Sequence, residues 1–110
     1  MATIKQFDEQ PRRTFRLKLT LEMEPPEAVA IVYELAPGKV TFAASPIPPS
    51  FTVSADGLKL SGTETIAASE DEFHHPFGLV HTDGVALVGV KVSVTWPAGS
   101  FDARFALVLP

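Results

Sequence analysis

An all-β fold is what this sequence predicts: an antiparallel β-sandwich of about seven or eight short strands, immunoglobulin-like in architecture, with a small β-barrel as the alternative. Three observations predict it. Apolar and polar residues alternate with a period of two through several stretches, the spacing that puts every second side chain on one face of a strand. Turn residues punctuate these runs, among them 10 prolines and 7 glycines. The length, 110 residues, suits one sandwich domain, and with no cysteine there is neither a disulfide framework nor the Cys–Trp–Cys spacing of true immunoglobulin domains.

The strongest pattern runs from Gly84 to Leu109. Val88, Val90, Val92, Val94 and Trp96 share one parity, and Phe101, Ala103, Phe105, Leu107 and Leu109 resume it after Pro97-Ala98-Gly99-Ser100. A four-residue loop there pairs Trp96 with Phe101, Val94 with Ala103, Val92 with Phe105 and Val90 with Leu107, so that every inward residue meets another. The opposite face, with Thr95, Ser93, Asp102 and Arg104, reads as solvated.

Residues 1–13 are the least patterned and are expected to form an N-terminal arm or edge strand; 14–110 are expected to form a single sandwich domain. Thr14 to Met23 is a strand with Phe15, Leu17, Leu19, Leu21 and Met23 inward, ended by Glu24-Pro25-Pro26-Glu27. Ala28 to Ala36 turns Val29, Ile31, Tyr33 and Leu35 to one face, yet Ala28, Ala30 and Val32 make its other face apolar as well. Pro37-Gly38 has type II turn chemistry, which twists the wrong way for a tight hairpin and predicts a wider loop or a change of sheet. Lys39 to Ser45 follows, and Ser45-Pro46-Ile47-Pro48-Pro49-Ser50 reads as a rigid crossing between sheets. Asp56-Gly57 predicts a type I′ hairpin that sets Val53 opposite Leu60 and Phe51 opposite Gly62. Ser69-Glu70-Asp71-Glu72 matches a capping box and predicts a helical turn, limited by Pro76, within an irregular segment reaching to Gly84.

Composition excludes more functions than it suggests. A net charge of −4 disfavours a general nucleic-acid binder, whose affinity rests on neutralising phosphates. No run of about 20 apolar residues suits a membrane helix, and no apolar leader reads as a signal peptide. Cytoplasmic residence is the default expectation, with export by a signal-independent route left open. No nucleophile sits in an activating motif, and there is no phosphate-cradling glycine array, so no enzyme and no cofactor is expected.

The richest polar stretch is Ser69 to Asp83, which holds all three histidines. His74, His75, His81 and Asp83 are the candidate metal ligands, since a zinc-like ion needs three or four converging nitrogen or oxygen donors. Their spacing matches no metal signature, and adjacent histidines of an extended strand point in opposite directions. A polar surface segment is the simpler account. Arg12, Arg13, Arg16 and Lys18 form a basic cluster suited to an acidic partner, including the acidic segments of another copy. Tyr33 and Trp96 offer a sugar-stacking platform, but their inward parity favours core packing.

A mean hydropathy of +0.18 with 45% apolar residues is high for so small a domain, which points to apolar side chains on its outer surface. The function expected is therefore a non-catalytic structural or protein-interaction domain, either self-associating as a homo-oligomer or docking on another protein. The alternative is a small-ligand module that binds a metal ion or carbohydrate through residues 69–84.

Overall fold

The computed structural model describes residues 2–10, 13–21, 26–67, 69–82 and 84–109. Ten strands form among them: β1 (Ala2–Gln10), β2 (Thr14–Leu21), β3 (Glu27–Leu35), β4 (Val40–Phe42), β5 (Phe51–Val53), β6 (Lys59–Ile66), β7 (Glu70–Pro76), β8 (Leu79–His81), β9 (Leu87–Trp96) and β10 (Gly99–Val108). They pair as a three-stranded sheet in the order β1-β2-β7, a five-stranded sheet in the order β10-β9-β3-β6-β5, and a small two-stranded sheet β4-β8. Every pairing is antiparallel. No described helix is long and apolar enough to cross a membrane.

The alternation of the sequence becomes two facing sheets. Phe15, Leu17 and Leu19 of β2 and Val29, Ile31, Tyr33 and Leu35 of β3 are all buried, as are Val88, Val90, Val92, Val94 and Trp96 of β9. At the centre, the ring of Phe15 stacks on Phe77 with centroids 3.9 Å apart and on Tyr33 at 4.3 Å, so one aromatic column spans the space between the sheets. Met23, expected to face inward on the same strand as Phe15, lies outside the described residues.

The β9–β10 hairpin has the expected faces but not the expected loop. Its turn is the two residues Pro97-Ala98, and Trp96 pairs with Gly99, Val94 with Phe101, Val92 with Ala103 and Val90 with Phe105. A shift of two preserves parity, so inward residues still meet inward residues in either register. Gly99 separates the two. Opposite it the indole of Trp96 lies over a residue with no side chain, where an added Cβ would stand 3.4 Å from Cζ2. The indole then meets Phe101 edge-on, with centroids 5.3 Å apart.

The β5–β6 register is the expected one, with Val53 opposite Leu60 and Phe51 opposite Gly62. Its turn is not type I′, which requires two residues with positive φ. Only Gly57 has one, +73°, and its N–H donates to the Ser54 carbonyl at 2.9 Å, so the loop is a wider one built round a single left-handed glycine. The Pro37-Gly38 loop and the proline-rich 45–50 segment each carry the chain between sheets, from β3 to β4 and from β4 to β5.

Two strands stand where an irregular segment with a helical turn is expected. β7 pairs with β2 along its whole length, from Thr14 opposite Pro76 to Thr20 opposite Glu70, and β8 pairs with β4. The Ser-x-x-Glu pattern is overridden because β2 offers seven residues of ladder pairing and the extended backbone buries His75; Lys18 of β2 and Lys5 of β1 also reach Glu70, at 3.2 and 3.1 Å. The strand total rises to ten accordingly, with β1 added as an edge strand on β2.

Gly62 gives a sharp test of this packing. A Cβ at that position would lie 2.6 Å from the Ser50 carbonyl oxygen and would strike the Phe51 ring, so neither a backbone nor a buried aromatic group can yield cheaply. Gly62→Ala is expected to lower stability by about 1–3 kcal/mol, measured by chemical denaturation. An unchanged midpoint would mean that Phe51 does not cross β6 as described.

Candidate functional site

Among the described residues, one polar constellation is buried, and it joins the two larger sheets. Tyr33 of β3 and His75 of β7 are both buried, and the Tyr33 hydroxyl lies 2.5 Å from His75 Nδ1. On the other side of the ring, Nε2 lies 3.1 Å from Oε2 of the part-buried Glu64 on β6. An ionised carboxylate only accepts, so Nε2 carries the proton and donates to Glu64. Nδ1 is then the acceptor for the Tyr33 hydroxyl.

The electrostatics favour this neutral chain of donors. Burial pushes the pKa of His75 down, opposed in part by the hydrogen bond and charge of Glu64. Burial, with the Glu64 charge, pushes Tyr33 well above the usual phenol range. Both ring nitrogens are engaged, so His75 has no free lone pair to offer a metal. Phe51 and Phe73 pack against the imidazole, with centroids at 4.6 and 6.1 Å. The arrangement acts as a polar bridge between sheets.

The candidate metal ligands are spread apart. His74 points outward on β7, with Nε2 3.0 Å from Glu72 Oε2, while His75 points into the core. His81 lies on β8, where its Nδ1 donates to the Thr82 carbonyl at 3.2 Å. Asp83 lies outside the described residues. No group of three or more histidine, cysteine, aspartate or glutamate side chains converges as a ligand set among the described residues.

Glu64 is not a candidate from sequence, and Tyr33 is one only as a sugar-stacking or core aromatic, not as a partner of His75. The available signal was Phe73-x-His75-x-Phe77, an alternation that puts the histidine on inward parity between two aromatics. Tyr33 and Trp96 are buried, as their parity predicts.

The basic cluster finds its carboxylates within the chain. Arg16 pairs with Asp8 at 2.5 Å and Arg13 with Glu9 at 2.7 Å, and the Arg16 guanidinium holds the Asp8 carboxyl below its usual range. Arg12 lies outside the described residues.

The outer face of the five-stranded sheet is mostly polar, with Lys59, Thr63, Thr65, Thr95, Asp102 and Arg104 exposed, but it also carries apolar side chains. On the outer face of the five-stranded sheet Ala28, Ala30, Ala36 and Ala106 are exposed and Val32 is half-buried. Leu87 and Val108, paired across β9 and β10, are 60% and 70% exposed. A groove of about 350 Å³ is lined from three strands, with Ala36, Gly89, Lys91 and Arg104 among its lining residues.

Comparison with known proteins adds no assignment. No protein-family model, no curated protein and no solved structure matches the chain.

The bridge makes stability depend on pH. The folded chain binds a proton at His75 less readily than the unfolded chain, whose histidine titrates near 6.5. Above that pH the contribution of neutral His75 is complete. As pH falls through 6.5 toward the lower folded value, the unfolded state takes up more protons and the contribution is lost. Glu64, Tyr33 and the neighbouring His74 are the titratable groups that act on it. The denaturation midpoint is expected to fall between about pH 7.5 and about pH 5; a flat profile across that window would refute the bridge.

Proposed function

We infer that this chain is a non-catalytic interaction domain that associates with copies of itself. The observation that carries this reading is the directly opposed pair Leu87 and Val108, exposed at one margin of the five-stranded sheet. Side chains of this size left in water cost free energy roughly in proportion to their apolar area, and association recovers it. The small residues around them, Ala36, Gly89 and Ala106, allow another surface to approach closely. The interior polar groups favour a structural over a chemical role, because His75 spends both nitrogens on Tyr33 and Glu64.

Light scattering tests the reading. The mass is expected to exceed 11.8 kDa and to grow with concentration across the micromolar range, while a mass fixed at the monomer value overturns it. Val108→Glu is expected to lower the mass without lowering the melting temperature, because the side chain it replaces is exposed.

A further inference from the structure

We propose that β10 is the docking edge, and that two copies join by antiparallel pairing of β10 with β10 about a two-fold axis at Ala103. This rests on the self-association reading above and names its surface, register and partner.

The edges of the two larger sheets are β1, β7, β5 and β10. An edge strand offers unpaired N–H and C=O groups to any other strand, and proteins block such edges with bulges, charges, proline or brevity. β1 has a register break between Ile4 and Gln6, with Lys5 at the break. β7 carries Glu70, Asp71, Glu72 and His74 and ends on Pro76. β5 is three residues long. β10 has no bulge, no proline and no brevity: ten residues in an unbroken register from Gly99 opposite Trp96 to Val108 opposite Leu87, with two charges of opposite sign.

Its charges are arranged for a copy of itself. Asp102 and Arg104 are the only charged residues of β10, two apart on the exposed face. An axis at Ala103 sets Asp102 of each copy opposite Arg104 of the other. An axis at either charged residue would set like charges together, and an axis at Phe101 or Phe105 would leave both charges facing uncharged residues. On the inner face the same register sets Phe101 opposite Phe105 of the second copy. Both side chains are only half-buried in the single chain, as is Ala103.

The backbone agrees. The Leu109 N–H donates to the Ala86 carbonyl, so odd-numbered residues direct their hydrogen-bonding groups toward β9 and Ser100, Asp102, Arg104 and Ala106 direct theirs outward. With the axis at Ala103 these outward residues fall opposite one another, Asp102 with Arg104 and Ser100 with Ala106. The paired segment has natural limits. Arg13 donates to the Val108 carbonyl at 3.4 Å, closing one end, and the Pro97-Ala98 turn closes the other. β1 packs beside β10 through Phe7 and Phe105, at 4.5 Å, but no backbone hydrogen bond joins the two strands among the described residues.

Charge reversal in the full-length chain tests the register. Asp102→Arg places Arg opposite Arg twice per dimer, and Arg104→Asp places Asp opposite Asp twice. Each alone is expected to weaken association by about tenfold or more. Mixing the two variants restores every opposite-charge pair, so differently labelled chains should form a heterodimer by energy transfer, and the double variant should recover the homodimer. Amide exchange of the wild-type chain supplies a readout independent of mutation. Protection of Asp102, Arg104 and Ala106 amides should rise as concentration crosses the dimer threshold. A wild-type dimer indifferent to both reversals, or one whose β10 amides gain no protection, overturns the proposal while leaving self-association standing. A wild-type monomer at all concentrations overturns both.

Discussion

Phe15 sets the depth at which the two larger sheets meet. Its ring lies between Phe77 and Tyr33 at stacking distance, and the rest of the interior follows from that column. Stacking holds the Tyr33 ring in the plane that brings its hydroxyl to His75, and His75 in turn reaches Glu64 on the facing sheet. A hydrogen bond between buried groups contributes little net free energy, whereas leaving one of them unpartnered is costly. The bridge therefore acts more on specificity than on total stability. It favours the one relative placement of the sheets in which all three polar side chains are satisfied, and penalises sliding of β7 along β2.

The parts of the fold that could be read in advance are those where one face is wet and one dry. β2 and β9 alternate most cleanly, with Phe15, Leu17 and Leu19 and the four valines from Val88 to Val94 buried as expected, while Phe101, Ala103 and Phe105 of β10 are partly buried. What parity cannot resolve is a displacement by two, and the β9–β10 register turned on the absence of a side chain at Gly99, a steric detail of one position. β7 was hidden differently. Its outward residues are Glu70, Glu72 and His74 and its inward ones include Asp71 and His75, so charge masks the alternation, and the local Ser-x-x-Glu pattern competes with a pairing partner distant in sequence. The Tyr33–His75–Glu64 bridge was not legible because its members come from three strands whose adjacency depends on tertiary packing.

The acidic strand β7 also changes the meaning of the basic cluster. Arg16 and Lys18 look like a surface prepared for an external partner when only the chain is in view. In the fold Lys18 faces Glu72 across the ladder and reaches Glu70, while Arg16 is held by Asp8. Such exposed pairs contribute little individually. Their consequence is to neutralise the outer face of the three-stranded sheet, leaving the apolar margin of the five-stranded sheet as the more distinctive surface.

The order in which the sheets can assemble follows from the pairing of β9. Its hairpin with β10 closes through two residues, whereas its other neighbour, β3, pairs Ala30 with Thr95 and must be brought in from the far end of the chain. Local hairpins form faster than pairings that close long loops. During refolding, a β9–β10 ribbon formed ahead of its pairing with β3 has both margins bare and its Val-rich inner face uncovered. The rate at which β3 docks, relative to the concentration of sister chains, sets the partition between native chains and exchanged or aggregated ones.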